Sequence, residues 1–384
     1  MAVTLRTPPK VLTSSGFRWL RTGADALRAM RTAIETARTS VRLETYIFHE
    51  GPVGEKFREA LVAAAQRGVK VQVLVDAFGS TNLPAAFWDP LKKAGGEFAS
   101  FNPLVLDRWS YRDHRKVLVC DDSIGFIGGF NIADEYQGDG ITSGWRDLGL
   151  EVSGPLVAAL ATSFDGFFGR ANLVHKRLQI LRKAPTEITG GENWELLFSG
   201  PGRHHGAVKH RLARDLRSAK SVKFICAYFL PTWRLRKELL RVSKRGGKVQ
   251  LILAGKSDVA VSRLASRRLY NSLLRVGVEI YEYQPQILHA KMFILDDVVY
   301  AGSSNLDTRS LRINHELLVR IDDAKVAAEA REMFDGDLPH CRRIDPATWS
   351  KSRNFWDKLR EDWAYFMLAR VDPFLARRRM KTLR

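Results

Sequence analysis

Two histidines and two lysines, spaced alike in two distant stretches, are the residues of this chain best suited to chemistry. His289, Lys291 and Asp296 form an H-x-K-x4-D pattern, followed by Gly302-Ser303-Ser304-Asn305 and then Glu316. The same order occurs earlier in HRKVLVCDDSIGFIGGFN, with His114, Lys116, Asp121 and Asn131, and then Asp147. A lone H-x-K means little. Two copies, each on an apolar run and each followed by Gly and Asn, point to one site built from two halves. In an extended strand residues i and i+2 share a face, so His114 projects with Lys116 and His289 with Lys291. Asn131 and Asn305 add amide donors. Such a set suits a tetrahedral anion, a phosphodiester above all.

Cleaving a phosphodiester takes a nucleophile on one side of phosphorus and a proton donor on the leaving oxygen opposite. Two imidazoles can supply both, because a pKa near ~6.5 leaves either form accessible around neutrality. A carboxylate behind each ring fixes its tautomer and supports its cation. Asp147, 16 residues past Asn131, and Glu316, 11 past Asn305, are the candidates. Lysines and amides balance the charge on the non-bridging oxygens, so no metal and no cofactor is expected. No carboxylate cluster with magnesium- or zinc-like spacing appears. Asp121 and Asp296 are expected to be structural. His204, His205 and His210 read as surface residues, and His315 should point away from Glu316.

The elements that must position these groups repeat as well. Apolar spacing predicts a helix over Gly23–Ala37, a strand at 41–48, a helix over Gly54–Gln66 ended by Gly68, and a strand from Val69 to Val75. A helix around Asp89–Ala94 and a strand at Glu97–Phe101 follow. The second half repeats the order: Ser40-Val41 matches Ser221-Val222, Gly95, Glu97 and Pro103 match Gly277, Glu279 and Pro285 shifted by 182, and the histidine motifs match at 175. The fold class expected is α/β, with two pseudo-two-fold-related α/β/α sandwich domains sharing one active site. The boundaries expected are a loose leader over 1–16, a first domain over 17–175, a linker over 176–192, a second domain over 193–340 and a basic aromatic helical tail over 341–384. In the tail, Trp356, Leu359, Trp363, Phe366 and Met367 form an apolar stripe. Lys351, Arg353, Lys358, Arg360 and Arg377–Lys381 supply charge around it, as in an interfacial helix. A helix docked on the body with a solvated basic face is the competing reading.

The chain of 384 residues carries 61 Lys and Arg against 42 Asp and Glu, a formal charge of +19. That surplus argues for an anionic partner, nucleic acid or an acidic membrane face. Cys120, Cys226 and Cys341 are far apart and read as reduced thiols. The N-terminal stretch lacks the apolar core of a signal peptide, and no run approaches the ~18–20 apolar residues of a spanning helix. A cytoplasmic or membrane-surface protein is expected.

The paired motifs resemble the phospholipase D superfamily. LETYIFHEGPVGEKFREALVAAAQRGVKVQVLVD, HRKVLVCDDSIGFIGGFNIADEY and GSSNLDTRSLRINHE are similar in particular to bacterial cardiolipin synthases, over roughly residues 17–335. The tail resembles that of the shorter forms without N-terminal membrane spans. The resemblance implies that His114 becomes a phosphatidyl-enzyme intermediate and that His289 protonates the departing glycerol. It implies that Lys116, Asn131, Lys291 and Asn305 bind phosphate while Asp147 and Glu316 brace the imidazoles. It implies two phosphatidylglycerols joined into cardiolipin with release of glycerol, by an enzyme held peripherally at the cytoplasmic face of the inner membrane on anionic phospholipid. Phosphatidylethanolamine is the alternative donor. A phospholipase D-type hydrolase and a nucleic-acid phosphodiesterase are the rival enzymes, and a non-catalytic lipid-binding protein the rival of another class. No nucleic-acid partner is expected.

Overall fold

The computed structural model describes residues 16–84, 86–102, 111–171, 189–201 and 206–376. The leader up to residue 15, Pro103, most of the 176–192 linker, His204, His205 and Arg377–Lys381 lie outside the described residues.

The first half places β1 (Phe17–Leu20), β2 (Ser40–Thr45), β3 (Lys70–Asp76), β4 (Glu97–Phe101), β5 (Val117–Cys120), β6 (Ile124–Gly128) and β7 (Gly149–Ser153) in one sheet. Its order is β1-β7-β6-β5-β2-β3-β4. The second half contributes β8 (Thr189–Gly190), β9 (Trp194–Ser199), β10 (Ser221–Cys226), β11 (Lys248–Ala254), β12 (Glu279–Tyr283), β13 (Lys291–Leu295), β14 (Val298–Gly302), β15 (Glu316–Asp322) and β16 (Cys341–Arg343). These run β16-β12-β11-β10-β13-β14-β15-β9-β8. Seven strands correspond one for one, from β4 with β12 through β2 with β10 to β1 with β9, leaving β16 and β8 as additions at the two edges. In both sheets three strands pair in parallel and the remaining core pairs are antiparallel. The fold is α/β, two mixed sheets with helices, as the repeated order of elements predicts.

Strand β3, KVQVLVD, is buried from its second residue onward, because helices of its own half cover both of its faces. Helices α1 (Gly23–Thr36) and α2 (Pro52–Gln66) bring Leu27, Ile34, Phe57 and Leu61 onto Val41 and Val73. The short α3 (Asp89–Lys93) follows, and α4 (Pro155–Ala171) closes the half. Helices α5 (Ala207–Ser218), α6 (Trp233–Lys244) and α7 (Ala260–Leu274) cover the outer face of the second sheet with Leu212, Leu235 and Leu269. Beyond the short α8 (Thr308–Arg312), α9 (Ala324–Asp337) lies on the inner side. A single core joins the halves, holding Val119, Ile127 and Leu150 from one sheet with Leu196, Met292 and Val319 from the other. Burial of this shared core holds the two motifs in fixed relation.

The tail departs from the expected continuous helix. It breaks into α10 (Pro346–Trp349) and α11 (Phe355–Phe366), followed by a π-helical turn at Met367–Val371. Asn354 accepts from Asp357 N while the Asp357 carboxylate accepts from Asn354 N, a capping box that restarts the helix. Arg353 is not part of a solvated basic face. It is buried, ion-paired to Glu361 and stacked 4.4 Å from the Trp349 ring centroid. Helix α11 docks on α7 through Ala364, with Tyr365 and Leu368 against the same core. Trp356, Leu359, Trp363 and Phe366 face outward, 47–64% exposed. No helix among the described residues is long and apolar enough to cross a membrane.

Candidate active site

His114 and His289 each stand just ahead of a buried strand, β5 and β13, at the point where the chain touches the opposite half. Asp113 bridges His315 in parallel, and Leu288 bridges Arg146. His114 N donates to His315 O (2.9 Å), and His289 N donates to Arg146 O (2.8 Å). The residue after each bridge partner is a carboxylate. His114 Nδ1 therefore lies 3.0 Å from Glu316 Oε2, and His289 Nδ1 lies 2.6 Å from Asp147 Oδ2. The pairing is crossed: each imidazole is backed by the carboxylate of the other half. With each Nδ1 proton given to a carboxylate, Nε2 is the reactive atom of both rings.

Both carboxylates are fully buried and closely held. Ser303 Oγ donates to Glu316 Oε2 at 2.5 Å. Asp147 Oδ1 accepts from Leu148 N at 2.8 Å, and a Cβ at Gly129 would overlap this carboxylate, so glycine is required there. Burial pushes the Glu316 carboxyl well above its usual range, opposed by the Lys116 charge. Burial, then Lys116 and Lys291, hold His114 well below its ordinary value; burial and Lys291 lower His289 while Asp147 raises it. Lys116 is pushed down to about 7, mainly by burial. Its Nζ donates to His114 O at 2.8 Å, and Lys291 Nζ stands 3.0 Å from His289 Nε2.

Both histidines, Asn131 and Asn305 line one cleft of about 380 Å³. Asn131 Oδ1 accepts from Ile47 N (3.0 Å) and Asn305 Oδ1 from Tyr228 N (3.2 Å), equivalent ties to the loops after β2 and β10. Each asparagine thus has its carbonyl engaged and its amide free to orient by other contacts; Asn131 Nδ2 donates to Tyr136 Oη at 2.6 Å. Asp121 and Asp296 lie in the turns after β5 and β13, with left-handed φ of 53° and 51°. Asp121 accepts from the backbone of Arg38, Thr39 and Ser40, and Asp296 from that of Lys220 and Ser221. The His315 ring packs among Phe101, Tyr111 and Phe167. His210 sits near the start of α5, outside the cleft.

Several lining residues carried no repeat signal. Tyr46, 4.9 Å from His114 between ring centroids, Tyr136, Trp145 and Tyr228 form the aromatic walls. Asp258, Arg309, Leu368 and Asp372 form the rim, so the tail reaches the cleft. Tyr46, Tyr136 and Arg309 stand inside the quoted segments, whereas Trp145, Tyr228, Asp258, Leu368 and Asp372 do not.

A duplicated sheet with facing histidine–lysine pairs defines a phospholipase D-like enzyme. Residues 30–163 and 212–338 match the family model described as cardiolipin synthase, PLD-like domain. Cardiolipin synthase B of Salmonella typhi is 33% identical over 359 residues, 91% of this chain and 86% of that protein. Cardiolipin synthase 1 of Bacillus cereus is 32% identical over 354 residues, 88% of this chain and 68% of that protein. Phosphatidylserine synthase of Haemophilus influenzae has a similar structure (TM-score 0.75, 14% identity, 95% of this chain and 96% of that one). The chain belongs to the cardiolipin synthase family of phospholipase D-like proteins.

Proposed function

We propose that this chain is a phosphatidyltransferase that joins two phosphatidylglycerols into cardiolipin and releases glycerol, working from the surface of an anionic membrane. The observation that carries this reading is the pair of imidazoles in one cleft, each backed by the other half's carboxylate. His114 Nε2 attacks phosphorus. The bond to the headgroup oxygen breaks as His289 Nε2–H gives it a proton, and glycerol leaves. His289 then takes the proton of the second lipid's primary hydroxyl, whose oxygen displaces His114. Lys116 and Lys291 balance the phosphoryl oxygens through both steps, with Asn131 and Asn305 beside them. A bound phosphodiester raises the depressed pKa of His289, readying it as an acid.

The inner face of the membrane is the side proposed, with the +19 charge and the outward aromatic stripe of α11 in support. Nucleic acid is not proposed as a substrate. Vesicles of labelled phosphatidylglycerol test the reading. Cardiolipin is the expected product, phosphatidic acid alone would mark a hydrolase, and cleavage of single-stranded DNA alone a nuclease. His114→Ala and His289→Ala should each lower turnover by at least ~10²–10⁴.

A further inference from the structure

Three carboxylates line the cleft beside the bracing pair, and two of them are committed. Asp307 caps α8, accepting from Ser310 N, and Asp372 is ion-paired to Arg309. Asp258 differs. Its Oδ2 accepts from Tyr228 Oη at 2.5 Å, while Oδ1 has only Ser257 Oγ, at 3.5 Å. It takes part in no ion pair among the described residues. A carboxylate with no ion-pair partner on the rim of a phosphate-binding cleft repels the phosphate itself. It is favourable only where the bound molecule presents hydrogen-bond donors. A glycerol headgroup does so through its vicinal hydroxyls.

Position decides which hydroxyls these are. The Tyr228 ring that holds Asp258 stands 6.4 Å from the His289 ring, edge to face, whereas His114 is flanked by Tyr46. The Asp258 charge raises the proton affinity of His289 and Lys291. Ser262, one turn further along, lines the same wall. Resting on the function proposed above, we infer that Asp258, oriented by Tyr228, is the residue that recognises the glycerol headgroup on the His289 side of phosphorus. In-line displacement puts the nucleophile opposite that headgroup, which assigns attack to His114 and proton transfer to His289. The same subsite receives the hydroxyl of the second lipid, because the incoming glycerol retraces the path of the departing one.

The test compares single-turnover release of glycerol from phosphatidylglycerol with release of 1-propanol from phosphatidylpropanol, in vesicles of equal charge. Asp258→Ala should lower the glycerol-to-propanol rate ratio by roughly 10–100-fold, the usual worth of hydrogen bonds to a charged group. Asp258→Asn, whose side-chain carbonyl still accepts, should lower it less. Asp258 is exposed, so the melting temperature should not move. An equal fall with both donors overturns the inference, as does a loss confined to phosphatidylethanolamine, which would mark an ammonium site. Failure of the functional reading would show separately, as wild-type protein yielding no cardiolipin from phosphatidylglycerol.

Discussion

Lys116 is a motif lysine, tied to His114 O, whose charge is close to being lost. Burial brings it down to about 7, although Glu316 pulls the other way. In the phosphate-binding role proposed for it the ammonium must be charged, so kcat/KM for the lipid donor should fall as pH rises through about 7 to 8. The sign for the folded protein is opposite. Between about 7 and its unfolded value the unfolded chain holds the proton and the folded chain does not, so this group favours folding more as pH rises. Lys116→Arg keeps its charge at any working pH. That variant should extend the alkaline limb of the kcat/KM profile upward by about one unit or more, at a lower maximum because the fork does not fit a site shaped for an ammonium. An unchanged limb would mean that another group sets it. His114, which must be neutral to attack and is kept so by burial and by the lysines, places the acid limb below ~6.5.

The repeated element is a strand, a turn aspartate and a returning strand, and the aspartate belongs to the scaffold. Asp121 gathers three backbone N–H groups at the start of β2, and Asp296 does the same for β10 with two. Each thereby locks the hairpin that follows the histidine to the neighbouring strand of its sheet. Asp121→Ala should cost about 0.5–1.5 kcal/mol, because water can replace the carboxylate at these exposed donors. A lower melting temperature with unchanged turnover at 25 °C is the expected result; lost turnover in fully folded protein would place Asp121 in the chemistry. The order of elements along the chain and the motif residues were legible in the sequence because both follow local rules, the periodicity of burial and a near-constant offset between copies. The crossing of Glu316 to His114 and Asp147 to His289 was not, since no spacing within one repeat reveals which half a carboxylate serves. Asp258 and Tyr228 were hidden for the same reason: each stands at a position whose counterpart in the first half is not alike. The tail break was readable in retrospect from Asn354 and Asp357, three residues apart, a helix-start signal set inside a helical stripe.

The whole molecule presents its cleft and its apolar surface together. Leu368 and Asp372 line the cleft, and the segment that carries them continues from α11, whose Trp356, Trp363 and Phe366 lie open to solvent. Phe355, Phe374 and Leu375 extend the exposed patch. An apolar surface of this kind on a strongly cationic protein is costly in water and matched to the boundary between headgroups and acyl chains of an anionic bilayer. Each Lys or Arg near that surface adds roughly 1 kcal/mol. Seating α11 in the boundary would hold the cleft against the headgroups from which its substrates must come. Replacing Trp356, Trp363 and Phe366 together by Ser removes about half of the patch without touching the face that docks on α7. The variant should keep its melting temperature and should partition at least ~10-fold less onto phosphatidylglycerol vesicles in a co-sedimentation assay. Its turnover should fall on vesicles and hold on a monomeric short-chain phosphatidylglycerol, because only the vesicle assay requires the protein to reach a surface. If instead both substrates lose turnover equally, α11 serves the cleft rather than the membrane.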